Sequence, residues 1–377
     1  MPADEFRSPV DPDGLMEFSV VFTDRSLNHM SQTFQQVMRD LHEMLCEVYN
    51  ATGAAIVPGG GTYGMEAVAR QFGAAKHAMI VRNGWFSYRW SQIFEAGGFA
   101  AETTVFKARQ TSNDSRAPFA PAPIDEVTKA IRAARPDVVF APHVETSAGI
   151  ILPDDYVAAL VEAAHEVGAL MVLDCIASGC VWVDMEKTGV DVLISAPQKG
   201  WSSTPSAGLV MLSQAALDRL NQTQSDSFAL DLGKWRQIME AYLNGGHAYH
   251  ATMPTDSLRA FRDTMAETRE LGFEILRDAQ WDLGNGVRAL MAEKGLRSVA
   301  ADGFGAPGVV VCYTEDPDIQ NGSKFAARGM QIAAGVPLAV DEPEDFRTFR
   351  IGLFGLDKLT DVKATLARFR AVADQVL

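Results

Sequence analysis

The chain reads as an α/β fold, a mainly parallel sheet covered by helices on both faces and followed by a smaller α+β unit. Three observations predict it. Helical and strand-like patterns alternate between residues 124 and 212. The strands there are continuous apolar runs, as strands buried on both faces are. Beyond about residue 255 the texture changes to a long helical stretch with two isolated strands. A chain of 377 residues, 47% hydrophobic, has material for a large core and about two domains. The patterns divide it into an N-terminal segment 1–20, a large unit 21–255 and a small unit 256–377.

The elements follow in order. Residues 1–17 are rich in Pro, Asp and Gly and read as irregular. Phe34, Val37, Met38, Leu41, Leu45 and Val48 recur at helical spacing behind Ser31, an N-cap candidate, with Gly53 as the stop. Gly59-Gly60-Gly61-Thr62 leads into a helix whose apolar face carries Met65, Val68, Ala69 and Phe72, and Met79-Ile80-Val81 is strand-like. Then come helix 124–134, strand Val138-Val139-Phe140, helix 154–167 behind Pro153, and strands at 170–173, 192–195 and 208–212. The spacing predicts one long helix over about 256–292, strands at 308–314 and 347–353, and a closing helix over about 358–374. No internal repeat or low-complexity tract interrupts this order.

Charge and cysteine content exclude some classes of function. A formal net charge of −15 argues against nucleic acid or an anionic membrane as partner, because both select basic patches. Cys46, Cys175, Cys180 and Cys312 have neither CxxC nor metal-site spacing and read as reduced intracellular thiols. Met1 to Val10 is polar and acidic, without the apolar centre of a signal peptide. No apolar run is long enough to span a bilayer. The expectation is a soluble cytoplasmic protein with no membrane or nucleic-acid partner.

Chemistry concentrates at two strand ends. Lys199 follows the run Val192-Leu193-Ile194 and is boxed in by Pro197 and Gly200, a poor setting for a solvated charge. It suits a lysine that bonds to a carbonyl cofactor. Twenty-five residues earlier the run Leu170-Met171-Val172-Leu173 ends in Asp174. This lysine and carboxylate meet the needs of pyridoxal phosphate (PLP): an amine for the aldehyde and an acid for the pyridine nitrogen. Ligands of such sheets sit outside the carboxyl ends of the strands. Gly59–Thr62 offers backbone N–H groups and a hydroxyl at a helix start, suited to a phosphate, and it is neither a Walker loop nor a dinucleotide fingerprint.

Each residue also has a plainer explanation. A Gly-rich turn is often structural, and most lysines are simply solvated. Asp174 reads equally as a satisfied carboxylate or helix cap. Arg350 is either a core-edge arginine paired to a carboxylate or a bidentate clamp for a substrate carboxylate. Phe86 suits a core position as well as a ring-stacking one. His143 near Glu145, and His247 near Tyr249, lack metal-site spacing, and no metal is expected. The order over the whole chain is what discriminates: phosphate turn, aromatic, hydroxyl loop, Asp, Lys, late Arg.

That order resembles the class V aminotransferases of PLP fold type I, in the alanine–glyoxylate and serine–glyoxylate (serine–pyruvate) branch. The resemblance is carried by Asn28-His29-Met30-Ser31, Gly61-Thr62-Tyr63-Gly64-Met65-Glu66-Ala67, Asn83-Gly84-Trp85-Phe86 and His143-Val144-Glu145-Thr146-Ser147-Ala148-Gly149. It continues through Leu173-Asp174-Cys175-Ile176-Ala177-Ser178, Gln198-Lys199-Gly200, Tyr249-His250-Ala251-Thr252 and Phe349-Arg350-Ile351-Gly352. It implies that Lys199 carries PLP and Asp174 pairs with the pyridine nitrogen. Phe86 and Ile176 would cover the two ring faces. Thr146, with Ser147, would contact the ring 3-oxygen. Gly60, Gly61, Thr62 and Gln198 would hold the phosphate. Tyr249 and Thr252 would reach the phosphate of a neighbouring subunit, giving a homodimer with shared active sites. Arg350 would bind the substrate carboxylate.

The sequence departs from that pattern twice. Many relatives have Ser where Gly60 stands, so a phosphate hydroxyl is missing. The Gly-Pro-rich loop near the N-terminus of this branch is replaced by Phe22-Thr23-Asp24-Arg25-Ser26-Leu27, which leaves amino-acid specificity open, and Arg25 is either a second anionic contact or a surface charge. The implied activity is ping-pong transfer of an amino group from a small L-amino acid, alanine or serine, to a 2-oxo acid such as glyoxylate or pyruvate. The alternatives are a PLP-dependent lyase (desulfurase-like), an epimerase or decarboxylase, a non-catalytic PLP-fold protein, and a nucleotide-binding module built on Gly59–Thr62. A desulfurase needs a cysteine on a mobile loop, and Cys312 lies in a strand-like run.

Overall fold

The computed structural model describes residues 9–377, so the leader reading of Met1–Val10, and the start of segment 1–20, lie largely outside the described residues. α1 (Gln32–Tyr49) starts where the spacing predicts, and the Ser31 hydroxyl accepts from the Phe34 N–H at 3.1 Å. Such a cap contributes about 1 kcal/mol. The helix stops at Asn50 in a left-handed conformation (φ 52°), not at Gly53. Gly53 instead opens β1 (Gly53–Pro58), a strand the sequence reading omits. With Gly and two Ala first, it lacks the branched apolar signature of a strand.

β1 runs through the Gly-rich turn into α2 (Gly61–Gly73), followed by β2 (His77–Arg82), α3 (Trp85–Gly97) and β3 (Glu102–Lys107). α4 (Ile124–Ala134), β4 (Val138–Pro142), α5 (Asp154–Glu166), β5 (Leu170–Asp174), β6 (Val192–Ser195) and β7 (Ala207–Leu212) fall where the patterns place them. The seven strands form one sheet in the order β1-β7-β6-β5-β4-β2-β3. β7 is antiparallel to both its neighbours, and the remaining pairs are parallel. β1 and β6 both oppose β7, so they point the same way. The carboxyl ends of β1, β2, β4, β5 and β6 therefore lie on one edge of the sheet.

α6 (Leu232–Leu243) packs on β1 and α1. The long helix expected over 256–292 is two: α7 (Thr255–Leu271) and α8 (Phe273–Glu293). Gly272, at φ 97°, separates them. Helical spacing does not register this break, because a lone Gly is tolerated in a helical pattern and apolar positions recur on both sides. β8 (Val309–Tyr313), β9 (Ala333–Ala334) and β10 (Thr348–Gly352) form a second, antiparallel sheet in the order β8-β10-β9. α9 (Val362–Val376) packs on α8. One apolar core runs from Leu27 to Met265 around the large sheet. Two smaller ones fill the second sheet and the seam where Val144, Ile150 and Ala177 meet Val309 and Val311. No helix among the described residues is long and apolar enough to cross a membrane.

Candidate active site

Five loops leave the shared sheet edge, and each carries candidate residues. After β1, Gly59 adopts φ 123° and donates its N–H to the Ser206 carbonyl at 2.8 Å. Gly60 precedes α2 with no side chain to cap it, so the first N–H groups of the helix stay open. A Cβ on Gly61 would lie 2.6 Å from Ile176 Cδ1, so the Asp174 segment packs directly on the turn. A Cβ on Gly60 would meet nothing within 4 Å. The six-residue strand β1 leads directly into this glycine turn.

After β2, Gly84 turns the chain into α3, with Phe86 in its first turn. Beneath that turn lies Glu145, fully buried. Its carboxylate accepts from the N–H groups of Phe86 (3.2 Å), Ser87 (2.8 Å) and Ser147 (3.0 Å), and from the hydroxyls of Ser87 and Ser147 (both 2.7 Å). A negative charge at a helix start with five donors is stable even when buried. The Ser147 hydroxyl donates to Glu145 and accepts from the Trp85 N–H at 2.9 Å. Thr146 is buried beside it.

Asp174 ends β5, in register with Ile194 and Pro142 of the neighbouring strands. One carboxylate oxygen accepts from the Ile176 N–H at 2.9 Å. Burial, reinforced by the charge of Glu145, pushes its pKa up to about 7 against the pull of that N–H, Arg89 and Lys199. Lys199 sits in the turn after β6, its ammonium 5.5 Å from the centre of the Phe354 ring. Burial first, then the charges of Arg350 and Arg89, lower its pKa, while Asp174 opposes them. The loop is well anchored. Trp201 is fully buried with its ring 4.5 Å from that of Trp182, and Ser202 is held left-handed at φ 55°. The Gln198 side-chain oxygen is buried without a hydrogen-bond partner among the described residues.

Arg350 reaches in from β10. Its Nε donates to the Ala334 carbonyl at 2.8 Å, and its guanidinium carbon lies 5.5 Å from the Phe86 ring centre. The sequence reading of a carboxylate-paired arginine does not hold among the described residues, where Arg350 has no salt bridge. Tyr249 and Thr252 lie in the segment between α6 and α7. Their hydroxyls bond to each other at 2.9 Å, and the Tyr249 side chain is exposed. His143 is buried with Nδ1 2.7 Å from the Ser178 hydroxyl, and burial depresses its pKa to about 4. Arg25 is exposed beside Asp24. Among the described residues no group of three or more His, Cys, Asp or Glu is placed to hold a metal ion.

The family profile described as "Aminotransferase class-V" matches residues 17–292. The chain belongs to the class-V aminotransferase family. It is a PLP-dependent transaminase of fold type I. It is similar, at 27% identity, to the 2-aminoethylphosphonate–pyruvate transaminase of Paraburkholderia phymatum, over 92% of this chain and 89% of the relative. It is also 26% identical to a protein named the small subunit of a soluble hydrogenase from Synechococcus sp., over 92% of this chain and 86% of that one. Among solved structures, an aspartate aminotransferase from Thermus thermophilus superimposes with a TM-score of 0.76 at 24% identity, covering 93% of this chain and 94% of that one. An alanine–glyoxylate aminotransferase from Nostoc sp. gives 0.74 at 20% identity, covering 93% and 89%.

The side chains present fit the family's cofactor. The site offers a buried acid with a raised pKa, a lysine with a lowered one, an uncapped helix start with open space, and an orphaned buried Gln198 oxygen. Three residues escape the sequence reading. Glu145 takes three of its five donors from Phe86 and Ser87, 58 and 59 residues away, which no local pattern marks. Phe354, beside Lys199, looks like one more core aromatic. Arg89 was legible: it lies three residues beyond Phe86 on one helix, hence on the same face.

Proposed function

We propose that this transaminase moves an amino group from a small L-amino acid, alanine or serine, to a 2-oxo acid such as glyoxylate or pyruvate in two alternating half-reactions. The observation that carries the reading is that Arg350, from the middle of β10, lies 5.5 Å from the Phe86 ring centre, while its charge and that of Asp174, at the end of β5, both act on Lys199 in the turn after β6. PLP, when bound, supplies an electron-withdrawing ring that accepts the electrons left at Cα when its proton departs. In this reading Lys199 Nζ, its pKa lowered by burial, would bond the cofactor at rest and carry the proton during reaction. Asp174 would pair with the pyridine nitrogen. Phe86 and Ile176 would cover the ring, and Thr146 would contact its 3-oxygen. Gly60, Gly61, Thr62 and Gln198 would hold the phosphate.

Arg350 clamps the substrate carboxylate and so fixes which Cα bond faces the ring. Exposed Tyr249 and Thr252 suit a role on the phosphate of a second copy, which supports a homodimer with shared sites. Four free cysteines fit a reducing, cytoplasmic setting. Burial pushes the Cys180 and Cys312 thiols up to about 12 and raises that of Cys175 well above its usual value, which leaves the desulfurase alternative without support from those three. A second reading is favoured by the 27% identical relative: an aminoalkylphosphonate donor with pyruvate as acceptor, since a guanidinium meets a phosphonate as readily as a carboxylate.

The test is a visible absorption spectrum of the purified protein with amino donors added singly. A yellow band bleached by L-alanine or L-serine and restored by glyoxylate or pyruvate supports the first reading. Bleaching by 2-aminoethylphosphonate alone supports the second. A band that no amino donor bleaches would sink both.

A further inference from the structure

Arg89 has no place in the roles assigned so far, yet it lies between the phosphate turn and the ring-stacking aromatic. Its Nη1 donates to Thr62 Oγ1 at 3.0 Å, and its guanidinium carbon is 5.3 Å from the Phe86 ring centre. Thr62 is the second residue of α2. A hydroxyl has one proton and two lone pairs. With a lone pair taken by Arg89, the Thr62 proton is left to donate elsewhere. Arg89 has no salt bridge among the described residues, in a chain of net charge −15. Neighbouring Arg70, by contrast, is paired with both Glu66 and Asp226. At Gly60 the helix start is uncapped, and space is open where a side chain would stand.

We propose that Arg89 and Thr62 form one anion-holding pair on the cofactor phosphate, replacing the hydroxyl that Gly60 lacks. The inference rests on the PLP reading of this site and deepens it. The pair brings a full positive charge to a phosphate position otherwise served by backbone N–H groups and neutral side chains, and charge-assisted bonds are the stronger kind. A single anionic chemistry has two possible sources here, the cofactor phosphate and an acidic group on the amino donor. The placement beside Thr62 selects the phosphate.

The experiment titrates cofactor-free protein with PLP and with pyridoxal, which has the same ring and aldehyde but no phosphate, read by visible absorption. Arg89→Gln is expected to weaken PLP binding about 10- to 100-fold. Pyridoxal binding stays unchanged, and Arg89→Lys recovers part of the loss. Thr62→Val weakens PLP in the same direction, and the double variant loses less than the two separate losses combined, as members of one unit do. Inorganic phosphate competes with PLP in the wild type and less well in Arg89→Gln. Equal loss of PLP and pyridoxal overturns the pair, because it marks a structural effect on the whole site. Unchanged PLP affinity with a raised KM for L-aspartate or 2-aminoethylphosphonate also overturns it, and gives Arg89 to the donor. Wild-type protein that binds neither compound overturns the cofactor reading itself, and the pair with it.

Discussion

Asp174 is buried at the end of β5 with its pKa pushed up to about 7 from 3.8, and this sets a pH response for the cofactor-free protein. Below pH 3.8 the acid is protonated whether the chain is folded or not. Between 3.8 and 7 the unfolded chain is ionised while the folded one keeps its proton, so stability falls as pH rises; above 7 the loss is complete. Asp174→Asn removes this term. The variant should gain on wild type between about pH 4 and 7, by up to a few kcal/mol, and no further above 7. His143, depressed to about 4 from 6.5, acts oppositely, losing stability as pH falls through that window, but it is common to both proteins and cancels. Urea unfolding at about pH 4.5, 6 and 7.5 reads the difference, and parallel curves for the two proteins would refute it. Arg350→Lys should raise the KM for the amino donor about tenfold while changing kcat less, since Lys keeps the charge and loses the fork. At this scale Asp174 stood out because it ends an unbroken apolar run, and Lys199 because it follows one in a turn boxed in by Pro197 and Gly200. Glu145 was not, since a buried charge announces itself only through partners brought by the fold.

Two glycines at helix starts separate space from strain at the scale of elements. Gly84 has no room for a side chain: a Cβ there would collide with Ser147 Oγ and lie 2.8 Å from the Glu145 carboxyl, which five hydrogen bonds hold in place. Gly84→Ala should therefore destabilise the protein by about 1–3 kcal/mol, seen as a lower Tm. Gly60 is extended at φ −171°, with nothing within 4 Å of the place a methyl group would occupy. Gly60→Ser should fold as well as wild type and bind PLP several-fold more tightly, by adding a hydroxyl at an open helix start. A PLP titration of the cofactor-free variant checks this, and equal or weaker binding counts against the phosphate role of the turn. The helix from Gln32 to Tyr49, with its strong apolar stripe, was readable to the residue at its N-cap and to within three residues at its stop. β1 and the break at Gly272 were not, because small residues leave no periodic signal and a lone glycine shows its φ only in the fold.

For the whole molecule, the shared-site dimer has a direct test. Lys199→Ala and the double variant Tyr249→Phe/Thr252→Ala should each be impaired alone. Mixed and re-equilibrated, they should recover activity, because one site of each hybrid then carries neither defect. Mixtures no better than the sum of their parts would mean that each chain works alone. The proposed division at 255/256 predicts that proteolysis of native protein cuts first in the exposed connection around residues 244–252 or near Gly272. The fold class was legible because strands buried on both faces cannot hide their composition. The strand order was not, because hydrophobic pattern says which face is buried and nothing of which strand lies beside which. That order has a consequence in time. β1 pairs only with β7, Gly53 opposite Leu212, so the phosphate turn has no strand to lean on until the chain has grown past residue 212. Arg350 arrives later still. Long-range closure of this kind is slow. PLP is thus expected to be captured by a finished chain after its release, and translation arrested before β7 should leave a nascent chain that does not retain the cofactor.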